Sequence, residues 1–190
     1  MREELSTILS YRNRLLAARN RGCSARWVLR LWSQFIKARD GHRCLCCDGT
    51  SRLQAHHIVR KALYPQGVIE LGNGITLCNK CHGRAHREFN GRPALTEPIN
   101  ARGGDDQDEW AFLFGLLHDD ATQRKLDPDT FYFIDNHMLE FFVRLQGYED
   151  LYTSVLRGEL SRIRFAHEAM RGMPQVWYTN YVREILQNNL

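Results

Sequence analysis

The sequence predicts an α+β fold in which a small ββα unit carries a metal site and helices flank it on both sides. Five of the six cysteines and four of the eight histidines fall between residues 44 and 86. Two short apolar stretches in the same region, near 53–59 and 75–77, are typical of strands, and the rest of the chain shows helical periodicity. A composition of 43% hydrophobic and 25% charged residues is that of an ordinary globular chain.

The composition also bounds where the protein works. No run of the sequence approaches the 18 or so apolar residues of a membrane span, and the charged N-terminus is unlike a signal peptide. We therefore expect a cytoplasmic protein with no membrane partner. In a reducing compartment, clustered cysteines indicate thiols or metal ligands rather than disulfides.

The N-terminal region, residues 1–38, predicts two helices. Residues 2–20 form an amphipathic pattern, and after a turn at 21–24 a second helix runs from Ser24, as N-cap, to about Arg39. Its buried stripe is predicted to include Trp27, Leu31 and Ile36.

The ββα unit is predicted within residues 39–92. Gly41 and Gly49 end the helical periodicity, and strands near 53–59 and 75–77 then enclose a loop through Pro65, Gly67 and Gly72. A helix from about Asn79 to Phe89 completes the unit. The Gly, Pro and acidic residues of 93–107 predict a linker, and 108–190 predicts helices at about 108–124, 129–146, 149–171 and 174–188.

The cysteine spacing predicts a structural zinc site. Cys44 and Cys47 form one C-x2-C pair, and Cys78 and Cys81 form another. A two-residue spacer brings both sulfurs of a turn to one ion, so two pairs can hold one tetrahedral Zn²⁺. Cys46 has the wrong offset to share either pair, and we expect it to be a spare thiol.

The histidines need a separate explanation, because a four-cysteine zinc site is closed. His82 and His86 are one helical turn apart and can act as a metal pair. His56 and His57 are neighbours on a strand and should point to opposite faces, one toward a metal and the other toward a substrate. We expect His42, His118, His137 and His167 to have no such role.

The two halves of the chain differ in net charge. Residues 1–99 hold 17 Lys and Arg against 7 Asp and Glu, whereas residues 100–190 hold 9 against 15. A basic half is typical of a polyanion-binding surface, and an acidic half is typical of a solvated helical bundle or a protein contact.

Together, the segments CLCC, AHHIV and GNGITLCNKCHGRAH resemble the HNH endonucleases, in the branch whose ββα-metal fold carries a zinc on four cysteines. The resemblance covers about residues 39–90. It implies that His57 is the general base, that Asn73 orients it through the loop, and that His82 binds the catalytic metal. It places His56 as a further metal ligand and His86 as a ligand found in some branches.

The resemblance implies a DNA phosphodiesterase with one catalytic divalent cation, Mn²⁺, Ni²⁺ or Mg²⁺, beside the structural Zn²⁺. Basic residues near the histidines would hold the DNA backbone. These are Arg39, Arg43, Arg60, Lys61, Lys80, Arg84 and Arg87.

Two alternatives stay open. A non-catalytic zinc module that binds nucleic acid or protein would explain the cysteines and the basic charge, but not the histidines and Asn73. The acidic C-terminal helices could instead form the main surface for a protein partner or self-association, with the nuclease as the effector of a phage or defence system. Their aromatic residues, in FYFIDNHMLEFF and QVWYTNY, are expected to be core.

Overall fold

The computed structural model describes residues 2–86 and 106–172. They form a mostly helical α+β structure with one two-stranded sheet. In chain order the elements are α1 (Arg2–Asn20), α2 (Ala25–Arg39), β1 (Leu53–His57), a 3₁₀ helix (Pro65–Ile69), β2 (Gly74–Cys78), α3 (Asn79–Ala85), α4 (Gln107–Gln123), α5 (Pro128–Phe131), α6 (Asn136–Gln146), α7 (Glu149–Leu156) and α8 (Arg162–Arg171).

Strands β1 and β2 pair in antiparallel register. Leu53 lies opposite Cys78, and His57 lies opposite Gly74. Ile58 and Val59, which the sequence assigned to the first strand, lie beyond its end, where their backbone groups bond to Asn73 instead. Helix α3 follows β2 directly, so the hairpin and helix occur in the order that the sequence predicts.

The chain divides into two compact units, Met1–Arg84 and Ala85–Leu190. In the first, α2 packs against α1 and against both strands of the hairpin. The buried stripe of α2 consists of Val28, Leu31, Trp32, Phe35, Ile36, Ala38 and Arg39. Because this stripe is centred on Trp32, the expectation that Trp27 is buried is wrong, and 40% of Trp27 is exposed.

Ser24 occupies the N-cap position of α2, but its side chain makes no capping hydrogen bond. Its backbone carbonyl instead accepts from the N–H groups of Trp27 and Val28. The predicted start of the helix is therefore confirmed, and the predicted capping mechanism is not.

In the second unit, α8 packs against α4, α6 and α7. Side-chain caps begin four of its helices, because Asp106, Asp127, Asp135 and Ser161 each accept a backbone N–H three residues ahead. Most apolar residues of the FYFIDNHMLEFF segment are buried, as predicted, whereas Phe133 is 37% exposed.

Two long helices predicted for this unit are each divided. The first is interrupted between α5 and α6, where Asp135 caps a new helix. The second is interrupted between α7 and α8, where Gly158 has a φ of 73° and Ser161 caps α8. A positive φ at glycine is a common way to end a helix.

Several predicted features lie outside the described residues. They are the last part of the helix after Asn79, nearly all of the 93–107 linker, the helix at 174–188 and the QVWYTNY segment. Within the described ranges, no helix has the length and apolar character that crossing a bilayer requires.

Candidate metal centres

The four predicted zinc cysteines lie together. Their sulfur atoms, from Cys44, Cys47, Cys78 and Cys81, all lie within 4.8 Å of one another. The Sγ atoms of Cys47 and Cys78 are 3.7 Å apart. Sulfurs bound to one tetrahedral zinc at about 2.3 Å are separated by about 3.8 Å, so this group could hold a metal ion such as zinc.

Local backbone geometry forms each half of the cluster. The Cys44 carbonyl accepts from the Asp48 N–H at 2.8 Å, and the Cys44 N–H donates to the Gly49 carbonyl at 2.9 Å. This turn presents Cys44 and Cys47 on one side. The other pair spans the junction where β2 ends at Cys78 and α3 carries Cys81.

The electrostatics of the cluster favour a cation. The Cys81 backbone N–H stabilises the Cys78 thiolate and lowers the pKa of Cys78 from 9.0 to about 7. Burial raises the pKa of Cys81, and the neighbouring thiols raise it further. Four sulfurs this close can all ionise only beside a cation, which is the condition that a zinc ion meets.

A second cluster consists of His56, His82 and His86. One ring nitrogen from each lies within 4.8 Å of the others. The rings of His56 and His82 meet edge to face with centroids 5.1 Å apart. Burial lowers the pKa of His86, which favours the neutral imidazole that binds metal. The three nitrogens could therefore hold one divalent ion.

His57 occupies a different environment from His56. Its Nε2 lies 2.8 Å from the Val68 carbonyl oxygen. A carbonyl can only accept, so Nε2 carries the proton, and in the neutral ring Nδ1 holds the lone pair. Burial lowers the pKa of His57, outweighing the Val68 carbonyl, which raises it.

Trp32 fixes the plane of the His57 ring. The two rings are stacked with centroids 4.1 Å apart and planes 9° apart. The Trp32 indole N–H donates to the Glu70 carbonyl at 3.0 Å, which holds the indole itself. The cross-strand partner of His57 is Gly74, and a Cβ there would lie 2.5 Å from Trp32. A glycine at this position therefore makes room for the stack.

Asn73 organises the loop between the strands. It is fully buried, and its Oδ1 accepts from the Val59 N–H at 2.8 Å. Its Nδ2 donates to the carbonyls of Val59 and Gly67, both at 3.0 Å. Asn73 therefore fixes the loop that carries Val68, the partner of His57.

Arg39 must be removed from the predicted DNA contacts. It is fully buried and forms an ion pair with Asp40 at 2.7 Å. Its guanidinium also donates to the carbonyls of Leu71 and Gly74, each at 2.6 Å. The Asp40 carboxylate in turn accepts from the Thr76 N–H. A guanidinium enclosed in this way cannot reach a phosphate, and it joins α2 to β2 and the loop before it.

The other predicted DNA contacts differ in exposure. Lys61, Lys80 and Arg84 are exposed, and Arg60 is half-buried. Arg43 is partly exposed and forms an ion pair with Asp48 at 2.5 Å. Arg87 lies outside the described residues.

The sequence alone did not predict that Trp32 stacks on His57 or that Arg39 joins α2 to the loop and β2. Helical periodicity does place Arg39 on the same face as Phe35 and Trp32, which indicates a buried arginine. Nothing in the spacing of residues indicates that Trp32 stacks on His57, because that contact depends on how α2 packs on the hairpin.

Comparisons of the chain with family models, characterised proteins and solved structures give no significant match.

Proposed function

We propose that this protein is a metal-dependent endonuclease of the HNH type that hydrolyses DNA phosphodiester bonds. The observation that carries the proposal is the position of His57, which lies next in sequence to His56 of the three-histidine cluster and is held by Trp32 and Val68. A neutral imidazole that is fixed in orientation, and whose neighbour in sequence belongs to a candidate metal centre, suits hydrolysis better than a purely structural role.

His57 acts as the general base. Because Nε2 donates to Val68, Nδ1 accepts a proton from the attacking water, and the Val68 carbonyl stabilises the imidazolium that forms. The lowered pKa of His57 keeps the ring neutral near pH 7. Stacking on Trp32 limits ring rotation, so the accepting nitrogen keeps one orientation.

His56, His82 and His86 would hold the catalytic ion. When bound, a divalent ion supplies positive charge that stabilises the developing charge on the phosphate and the leaving oxygen. The four cysteines have a separate role, since a closed thiolate site holds β2 and α3 to the turn at Cys44 without contacting the substrate. Exposed Lys61, Lys80 and Arg84 hold the DNA backbone.

Nicking of supercoiled plasmid tests this function. Purified protein is incubated with plasmid and, separately, with Mn²⁺, Ni²⁺, Co²⁺, Zn²⁺ or Mg²⁺, and conversion to open circle is measured. His57→Ala should lose at least about 100-fold in rate, the scale of a general base, while keeping its zinc, helix content and DNA affinity. His137→Ala is the matched control, because that imidazole is 83% exposed on α6 of the second unit.

Two outcomes would contradict the proposal. Equal nicking by His57→Ala and the parent protein would assign the base to another residue. DNA binding without nicking in any of these ions would favour the non-catalytic zinc module, which leaves the stacked His57 without a role.

A further inference from the structure

Helices α1 and α2 form a groove that the proposed catalytic site does not use. It has a volume of about 820 Å³, and its lining includes Leu5, Arg14, Arg21, Trp27 and Leu31. Leu5 and Trp27 are exposed by 37% and 40%, so the groove presents apolar surface to solvent. Its α1 wall mixes the apolar residues Leu5, Leu9 and Ala17 with the polar residues Ser6, Ser10 and Asn13.

The charged side chains that line this groove are both arginines. From Leu5 to Lys37 the chain holds seven Lys and Arg residues and no Asp or Glu. Of these, Arg14 and Arg21 line the groove and are exposed. Exposed Arg30 lies over the Trp27 ring, with its guanidinium carbon 5.6 Å from the ring centroid. An exposed indole among guanidinium groups is complementary to a flat, anionic ligand.

The groove and the histidine site lie on different sides of α2. Trp27 lines the groove, whereas Trp32 stacks on His57. Five residues of an α-helix turn by about 140° and rise by about 7.5 Å. A ligand in the groove would therefore not occupy the histidine site.

We propose that this groove binds an unpaired segment of a nucleic-acid strand, with a base stacked on Trp27 and neighbouring phosphates held by Arg14, Arg21 and Arg30. This deepens the proposed function, because it gives the nuclease a second contact with a substrate that has a single-stranded part. Aromatic stacking suits any base, and the cations follow the backbone, so the site is not sequence-specific. An acidic peptide would use the cations but would supply no base to stack on the indole.

Fluorescence anisotropy tests the proposal. A labelled 15-nucleotide dT strand and a blunt duplex of mixed sequence are titrated with full-length His57→Ala protein, its zinc retained and no catalytic ion added. In this background Trp27→Ala should weaken dT binding about tenfold, the scale of one lost stacking contact, and should change duplex binding less than twofold. Trp27→Phe keeps an aromatic ring and should recover most of the loss.

The arginines are tested through salt dependence. Replacing Arg14 and Arg30 by Gln should lower the slope of log affinity for dT against log salt by about 0.7 for each lost phosphate contact. The matched controls are Phe112→Ala and Arg157→Gln, both at exposed positions of the second unit, and they should leave the affinity and the slope unchanged.

Unchanged dT affinity in Trp27→Ala, or an equal loss in Phe112→Ala, would overturn the proposal. So would light scattering that shows a dimer converted to a monomer by Trp27→Ala with dT affinity unchanged, because the groove would then hold a second copy. The result is independent of cleavage. Loss of dT binding in Trp27→Ala, together with failure of the parent protein with intact His57 to cut plasmid in any of the ions, would support the groove and contradict the endonuclease.

Discussion

His57 shows how one side chain is prepared by its surroundings. Its two ring nitrogens have different roles, because the Val68 carbonyl accepts from Nε2. The stack on Trp32 covers one face of the ring. Burial lowers its pKa, so the neutral form predominates to lower pH than for an exposed histidine. Both ring contacts come from outside strand β1, since Trp32 lies in α2 and Val68 lies in the 3₁₀ helix.

Replacing Asn73 tests the support of that arrangement. Asn73→Ala leaves the Val59 N–H and the carbonyls of Val59 and Gly67 without their buried partner. We expect a loss of about 3 kcal/mol in the free energy of unfolding, measured by urea titration, together with slower plasmid nicking.

Asn73→Asp sharpens this test because it is nearly the same size. It keeps an oxygen for the Val59 N–H but directs a second oxygen at two carbonyls. We expect it to be at least as destabilising as Asn73→Ala. An Asp variant as stable as the parent would show that the amide N–H bonds contribute little.

The three-histidine cluster leads to an expectation about the catalytic ion. Neutral imidazole nitrogens suit Mn²⁺, Ni²⁺, Co²⁺ and Zn²⁺ better than Mg²⁺, which prefers oxygen ligands. Nicking should therefore be faster with Mn²⁺ or Ni²⁺ than with equal Mg²⁺. His82→Ala should abolish metal-dependent nicking, and His86→Ala should weaken it. Fastest nicking in Mg²⁺ with His86→Ala unaffected would remove His86 from the site.

The same cluster predicts a pH dependence for nicking. Protons compete with the metal for imidazole, so the apparent metal affinity should fall below about pH 6. Because partial burial lowers the pKa of His86, this ligand stays neutral to lower pH and should lose metal later than an imidazole of ordinary pKa would. Metal titrations of nicking at pH 7.5 and 5.5 measure the change, and an affinity that rises on acidification would contradict it.

At the scale of elements, the fit between α2 and the hairpin depends on Gly74. A Cβ at this position would lie 2.5 Å from Trp32 and 2.7 Å from Ile36. Both side chains are buried and have little room to move. Gly74→Ala should therefore cost about 1–3 kcal/mol in unfolding free energy and slow nicking by disturbing the His57 stack.

Gly83→Ala is the matched control for that substitution. Gly83 lies in α3, and a Cβ there meets no atom within 4 Å. Alanine is the better helix former by about 1 kcal/mol, so this variant should be neutral or more stable. An equal loss of unfolding free energy in Gly74→Ala and Gly83→Ala would mean that close packing at Gly74 does not cause the destabilisation.

Elements differed in how well their sequence predicts them. The turn that brings Cys44 and Cys47 together and the helical turn from His82 to His86 are local, so their spacing alone predicts that each pair lies close. The divided helices of the second unit were missed because hydrophobic periodicity continues across the breaks. The signals were the caps themselves, Asp135 and Ser161, with Gly158 just before the latter.

Contacts between elements were predicted least well. The periodicity of α2 indicates that Arg39 is buried, whereas the positive charge of Arg39 suggests a DNA contact. The partner carbonyls, on Leu71 and Gly74, are more than 30 residues away along the chain. No local pattern encodes such a distance, and only the assembled unit shows that this arginine is a structural residue.

At the scale of the whole molecule, the two units should respond differently to loss of zinc. Both candidate zinc pairs belong to the first unit, whereas the second has its own core around α4 and α8. We expect Cys81→Ser, or treatment with a strong chelator, to remove about one bound zinc and to unfold the first unit. The second unit should keep its helical signal and its own melting transition.

Cys46→Ser is the control, because the four-sulfur group does not include Cys46. It should retain the metal and both melting transitions, measured by elemental analysis and circular dichroism. Two results would contradict the expectation. One is that the untreated protein contains no zinc, and the other is that Cys81→Ser abolishes the melting transitions of both units together.

The glycine opposite His57 has a consequence for protein engineering. Trp32 reaches His57 because Gly74 leaves space between α2 and β2, and Arg39 then joins the same helix to the loop. The cysteines and histidines alone therefore do not form a site that can be transferred to another protein. A graft of residues 40–86 into another scaffold would carry the candidate metal ligands but leave behind the Trp32 indole that stacks on His57 and the Arg39 guanidinium that holds the loop, so the recipient must supply both.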